Sequence, residues 1–86
     1  MKKSYQFTAI LEYIENDVIY IRFPDLPGCN GCANDTEQAF ENAKDVLKTF
    51  LQKMKDNRFK IPKPTPFSKV DHSGNEVPII IEASVK

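Results

Sequence analysis

The sequence predicts an α+β fold of order β-β-β-α-β, a small and mainly antiparallel sheet with one long helix packed on one face. Three observations carry that expectation. Residues 5–14 alternate apolar and polar side chains, a β-branched and aromatic run follows at 18–23, and apolar residues recur at three-to-four spacing from Ala39 to Met54. With 86 residues there is room for one core, so residues 1–86 read as a single domain.

In the first strand Tyr5, Phe7, Ala9, Leu11 and Tyr13 fall on one face. Gln6, Thr8 and Glu12 fall on the other, with Ile10 and Ile14 as apolar exceptions. Glu15-Asn16-Asp17 is a turn, and Val18-Ile19-Tyr20-Ile21-Arg22-Phe23 returns antiparallel. Phe23-Pro24-Asp25-Leu26-Pro27-Gly28 stops that strand, because each proline lacks an N–H and Gly28 permits positive φ. A short third strand is placed around Cys29–Ala33. Asp35 caps the helix and Gln38 takes the reciprocal position three residues on. Ala39, Phe40, Ala43, Val46, Leu47, Phe50, Leu51 and Met54 form the stripe that lies on the sheet. Asp56-Asn57 ends the helix, with Asn57 suited to a left-handed conformation. Ile61-Pro62-Lys63-Pro64-Thr65-Pro66 is a stiff polyproline-like connector, with a docking peptide as its other reading. His72-Ser73-Gly74-Asn75 turns the chain into a last strand over 77–85, where Pro78 marks a strand start or an edge.

The longest apolar run, Ile79-Ile80-Ile81, is far short of the roughly 20 residues of a membrane span. Residues 4–8 alternate and give no signal-peptide core, so the expected location is the cytoplasm, with both cysteines reduced. Formal charge sums to zero, but residues 1–41 carry net −4, residues 42–63 net +5 and residues 64–86 net −1. The middle block holds Lys44, Lys48, Lys53, Lys55, Arg58, Lys60 and Lys63. It reads first as a solvated helix face with cations near the C-terminus, where the helix dipole favours them. A weak nucleic-acid contact through these side chains is the alternative, without interleaved aromatics for base stacking.

Cys29-Asn30-Gly31-Cys32 is a CxxC, but a zinc site needs four ligands and only His72 is a third candidate. A redox pair wants its first cysteine at a helix N-terminus after a parallel strand, whereas this pair follows a hairpin and precedes the cap. The simpler reading is two small residues packed in a loop. His72 lies in a polar turn, a poor place for a general base. Glu12, Asp17 and Asp25 do not converge as magnesium ligands, and Asp25 is better placed to bond loop amides. Three glycines without phosphate-loop spacing leave nothing to cradle a nucleotide. No enzyme, cofactor or metal is expected.

The string Phe23-Pro24-Asp25-Leu26-Pro27-Gly28-Cys29, followed by a helix opening Glu37-Gln38-Ala39 and by Ile61-Pro62-Lys63-Pro64, resembles the HicB-like antitoxin family over essentially the whole chain. The resemblance implies a partly degraded ribonuclease-H-like fold without its catalytic carboxylates. It also implies a partner, a small basic HicA-type toxin that cleaves mRNA until the antitoxin covers its active site, and a homo-oligomer, dimer or tetramer. The alternative within the family is an orphan homo-oligomeric regulatory or structural protein without a toxin. Two departures stand out. Ala33-Asn34-Asp35 replaces the family's Gly-Asp-Thr before the helix, so the cap is rebuilt on Asp35. Longer relatives continue into a DNA-binding module, which residues 1–86 do not include, and operator binding is therefore not expected.

Overall fold

The structure, a computed structural model, describes residues 3–15 and 17–85. Strands β1 (Lys3–Ile14), β2 (Val18–Arg22) and β3 (Asn30–Ala33) precede helix α1 (Thr36–Asp56), and β4 (Glu76–Val85) closes the order. The sheet runs β3-β2-β1-β4 with every pairing antiparallel. The expected β-β-β-α-β order is therefore the observed one. Strand ends move by one or two residues, and a short 3-10 turn at Phe67–Lys69 was not foreseen in the connector. Asn16 of the expected hairpin turn lies outside the described residues.

Alternation in β1 places the core. Phe7, Ala9 and Leu11 meet Ile19, Ile21, Ile81 and Ala83 on the face that α1 covers. From the helix, Ala39, Ala43, Leu47 and Leu51 are fully buried, while Val46, Phe50 and Met54 pack at the margin. The helix meets the sheet along a row spaced by four, and two alanines at its start allow close approach. Phe40 sits one step round from that row and is 42% exposed, so its place in the core stripe is corrected. Gly31 answers the same closeness from the sheet, since a Cβ there would lie 3.1 Å from Val46 Cγ2.

The N-terminal cap is as expected: Gln38 N–H donates to Asp35 Oδ1 at 2.7 Å. The Gln38 side chain reaches back one residue further than the usual box and accepts from Asn34 N–H. At the other end Asn57 is not left-handed; Arg58 is, with φ +59°. Asn57 instead donates from its side chain to the Lys53 carbonyl, which also accepts the Asn57 backbone N–H. Among the described residues no helix is long and apolar enough to cross a membrane.

Candidate partner-binding surface

The Phe23–Cys29 string is two β-turns in tandem. Leu26 N–H donates to the Phe23 carbonyl and Cys29 N–H to the Leu26 carbonyl, each at 2.9 Å. Pro24 and Pro27 therefore occupy the second position of successive turns, where their fixed φ is already correct. Gly28 takes the third position of the second turn with φ +91°, a conformation that L side chains rarely adopt. Phe23, Leu26 and Cys29 recur every three residues and are buried, whereas Pro24, Pro27 and Gly28 are exposed. Phe23 N–H closes the loop on the Cys29 carbonyl at 3.2 Å.

Asp25 was expected to bond amides of its own loop. Both its oxygens instead reach the connector: Oδ2 accepts Thr65 N–H at 2.7 Å and Oδ1 accepts the Thr65 hydroxyl at 2.6 Å. The connector is thereby pinned beside the tandem turn. Pro64–Phe67 then runs alongside Gln6, Thr8 and Ile80, on the sheet face opposite the helix. This explains why Thr8, which alternation assigns to the outer face, is buried.

That second face carries the remaining surface of interest. Register puts Thr8, Ile10, Glu12, Tyr20, Arg22, Cys32, Glu76, Pro78, Ile80 and Glu82 on it. Ile10, an apolar exception of the sequence pattern, is fully buried between its partners Arg22 and Pro78. Arg22 crosses β1 to pair with Glu76 at 3.1 Å. The Ser73 backbone N–H and the Arg22 guanidinium hold the Glu76 carboxyl below its ordinary range. Around this pair Tyr20 and Ile80 stand 52% and 54% exposed. A shallow depression lined by Glu12, Tyr20, Arg22, Asn30 and Cys32 adjoins them. The strands of this face carry three carboxylates, Glu12, Glu76 and Glu82, against the single guanidinium of Arg22. Sequence reasoning did not select this patch, although the alternation of Tyr20 and Arg22 within β2 contained it.

The other candidate residues are dispersed. Cys29 and Cys32 are free thiols, the first buried and the second exposed on β3. Burial pushes the Cys29 thiol up to about 11, and its Sγ faces the Val46 carbonyl at 3.9 Å. Such a thiol is a packing group rather than a nucleophile. His72 is exposed, with Nδ1 3.2 Å from the Ser73 carbonyl. No three His, Cys, Asp or Glu side chains among the described residues are placed to hold a metal ion. Lys44 and Lys48 flank a groove with Glu41 and Asp45 beside β4, whereas Lys53 lines the opposite side near Gly28 and Asn30. Lys53 and Lys55 occupy the last helical turn and Arg58 follows the cap. The helix cations thus divide between two flanks.

A family model described as the HicB-like antitoxin of bacterial toxin–antitoxin systems matches residues 6–85. The chain belongs to the HicB-like antitoxin family. Its fold is also found in solved structures from toxin–antitoxin systems. A chain of a toxin–antitoxin complex from Streptococcus pneumoniae superposes with TM-score 0.85 at 11% identity, covering 94% of this chain and 69% of that one. A chain of a HicA3 and HicB3 toxin–antitoxin complex gives TM-score 0.75 at 14% identity, covering 92% and 98%. The N-terminal domain of the Burkholderia pseudomallei antitoxin HicB gives 0.73 at 14% identity, covering 95% and 99%. No curated protein matches at a significant level. In this HicB-like chain the tandem turn serves the fold: it carries the chain from β2 to β3 and anchors the connector that returns to β4.

Proposed function

We propose that this protein neutralises a small basic HicA-type ribonuclease toxin by docking the second face of its sheet over the toxin's active site. The observation that carries the reading is the family match across residues 6–85. The chemistry of the surface supports it. A toxin that binds RNA is cationic, and the second face offers Glu12, Glu76 and Glu82 against one guanidinium, which favours encounter with a positive partner. Tyr20 and Ile80 supply apolar area within that acidic frame, the combination from which interface anchors are built. The Arg22–Glu76 pair holds two of the charges in fixed positions.

The protein acts as a binding module without turnover of its own, in the cytoplasm where the toxin's mRNA substrate is found. Residues 1–86 act as one domain in this reading, and the Phe23–Cys29 loop is structural rather than a contact site. Co-expression with the product of the adjacent gene tests the proposal. Rescue of growth is the expected result, and a neighbour that is neither basic nor toxic removes the reading.

A further inference from the structure

Thr65 stands between Pro64 and Pro66, so it carries the only backbone N–H of that stretch. Asp25 accepts this N–H together with the Thr65 hydroxyl. One side chain from the loop between β2 and β3 thereby sets where a stiff, proline-flanked segment crosses the sheet. Two residues on, a 3-10 turn begins at Phe67 and is closed by Lys69 N–H on the Pro66 carbonyl at 2.8 Å. Phe67, 43% exposed, and Ile80, 54% exposed, border one cleft of about 180 Å³ above the buried Thr8. This cleft lies on the same face of the sheet as Tyr20.

We infer that Phe67 is a further anchor for the partner and that Asp25 is its positioning residue, acting through Thr65 without touching the partner, an inference that rests on docking through the second face as proposed above. Glu82, held by Gln6 Nε2 at 3.1 Å, carries the acidic frame of that face up to the cleft. Lys63 and Lys69 flank the segment in the chain and offset that charge. A cationic partner therefore meets this end of the face by apolar contact, and its electrostatic attraction comes from the Glu12–Glu76 end. The cleft fits an aliphatic or aromatic side chain set in the partner's otherwise basic surface. Phe67 is useful there only if it is already in place, because a side chain ordered before the encounter spares its ordering cost on binding. The Asp25–Thr65 clasp supplies that order from the far end of a short proline-flanked lever. The aspartate of the tandem turn thus reaches the docking face without being part of it.

Two measurements on the full chain test it. In the free protein, backbone NMR order parameters at Ser68 and Lys69 should fall from about 0.85 to below about 0.6 in Asp25→Ala, while those of β1 keep their wild-type values. Unchanged order at the 3-10 turn overturns the inference whatever the partner. Binding of a purified HicA-type toxin, sought in the product of the adjacent gene, is then titrated where every variant is folded. Phe67→Ala should weaken it about tenfold and Asp25→Ala about threefold or more. Asp25→Asn, which keeps one acceptor oxygen, should weaken it less. In the Phe67→Ala background Asp25→Ala should have no further effect, since its influence passes through the missing ring. The salt dependence should stay that of the wild type in both single variants. Effects that multiply, or an Asp25→Ala variant with an altered salt response, overturn the positioning role. A loss on Tyr20→Ala with none on Phe67→Ala removes this inference and leaves the docking face standing, whereas indifference to both removes the face itself.

Discussion

Asp25 and Thr65, forty residues apart, are joined by two hydrogen bonds of 2.7 and 2.6 Å, one from the threonine amide and one from its hydroxyl. A carboxylate that accepts both fixes the proline-rich connector against the tandem turn, and the connector in turn covers Thr8 on the second face. Asp25→Ala should cost about 1–3 kcal/mol in chemical denaturation, the range for stranding a partly buried amide and hydroxyl. Thr65→Val should cost less, since the amide bond survives. In the double variant the two losses should fall clearly short of additive, and simple additivity would show that the pair is not coupled.

Gly28 should be far less replaceable than Gly74. With φ +91° its replacement by alanine is strained even though the nearest side-chain atom, Phe50 Cε2, is 3.8 Å from the added carbon. About 1–2 kcal/mol of destabilisation is expected by thermal or chemical melting. Gly74, where an added carbon meets nothing within 4 Å and φ is not positive, should accept alanine with little change.

The two thiols should separate cleanly by reactivity. With its pKa near 11, Cys29 is about one part in a thousand thiolate at pH 8, and it is also buried. A colourimetric thiol reagent should therefore titrate one group in the native protein and two after denaturation. The early group should vanish in Cys32→Ser. Rapid modification of Cys29 in the folded state would contradict the packing described.

Glu76 gives the acid response its sign. Its carboxyl titrates below the ordinary range because the Ser73 amide donates to it and Arg22 pairs with it. A depressed folded pKa contributes stability that is present above the unfolded value and lost as pH falls through the folded one. Side-chain carboxyl shifts followed by NMR should show Glu76 titrating below its unfolded value, moving part-way back in Arg22→Ala. The Ser73 amide should preserve the rest.

Much of this architecture was written locally. Alternation in β1 and β2 set both faces of the sheet, and the row Ala39, Ala43, Leu47, Leu51 set the helix orientation. The misreadings share a physical cause, which is dependence on distant partners. Asp25 read as a turn aspartate until Thr65 was found beside it. Thr8 read as solvent-facing because nothing in its neighbourhood announces that Pro64–Phe67 will pass over it. Phe40 read as core since periodicity cannot say where an apolar stripe stops meeting the sheet. At the helix end the left-handed conformation expected of Asn57 falls one residue later, on Arg58, while the Asn57 side chain bonds the Lys53 carbonyl. The candidate docking face depends on register across three strand pairs, which brings Glu12, Arg22 and Glu76 together only after folding.

Silencing of a ribonuclease through the acidic second face can be measured directly. Messenger RNA cleavage by a purified HicA-type toxin, sought in the product of the adjacent gene, should be titrated with wild type and with Tyr20→Ala. Cleavage should cease near one-to-one with the wild type, and the variant should need about tenfold more protein or worse, as expected for loss of an aromatic anchor. Cleavage that persists at excess wild type, or inhibition that Tyr20→Ala leaves untouched, would contradict it.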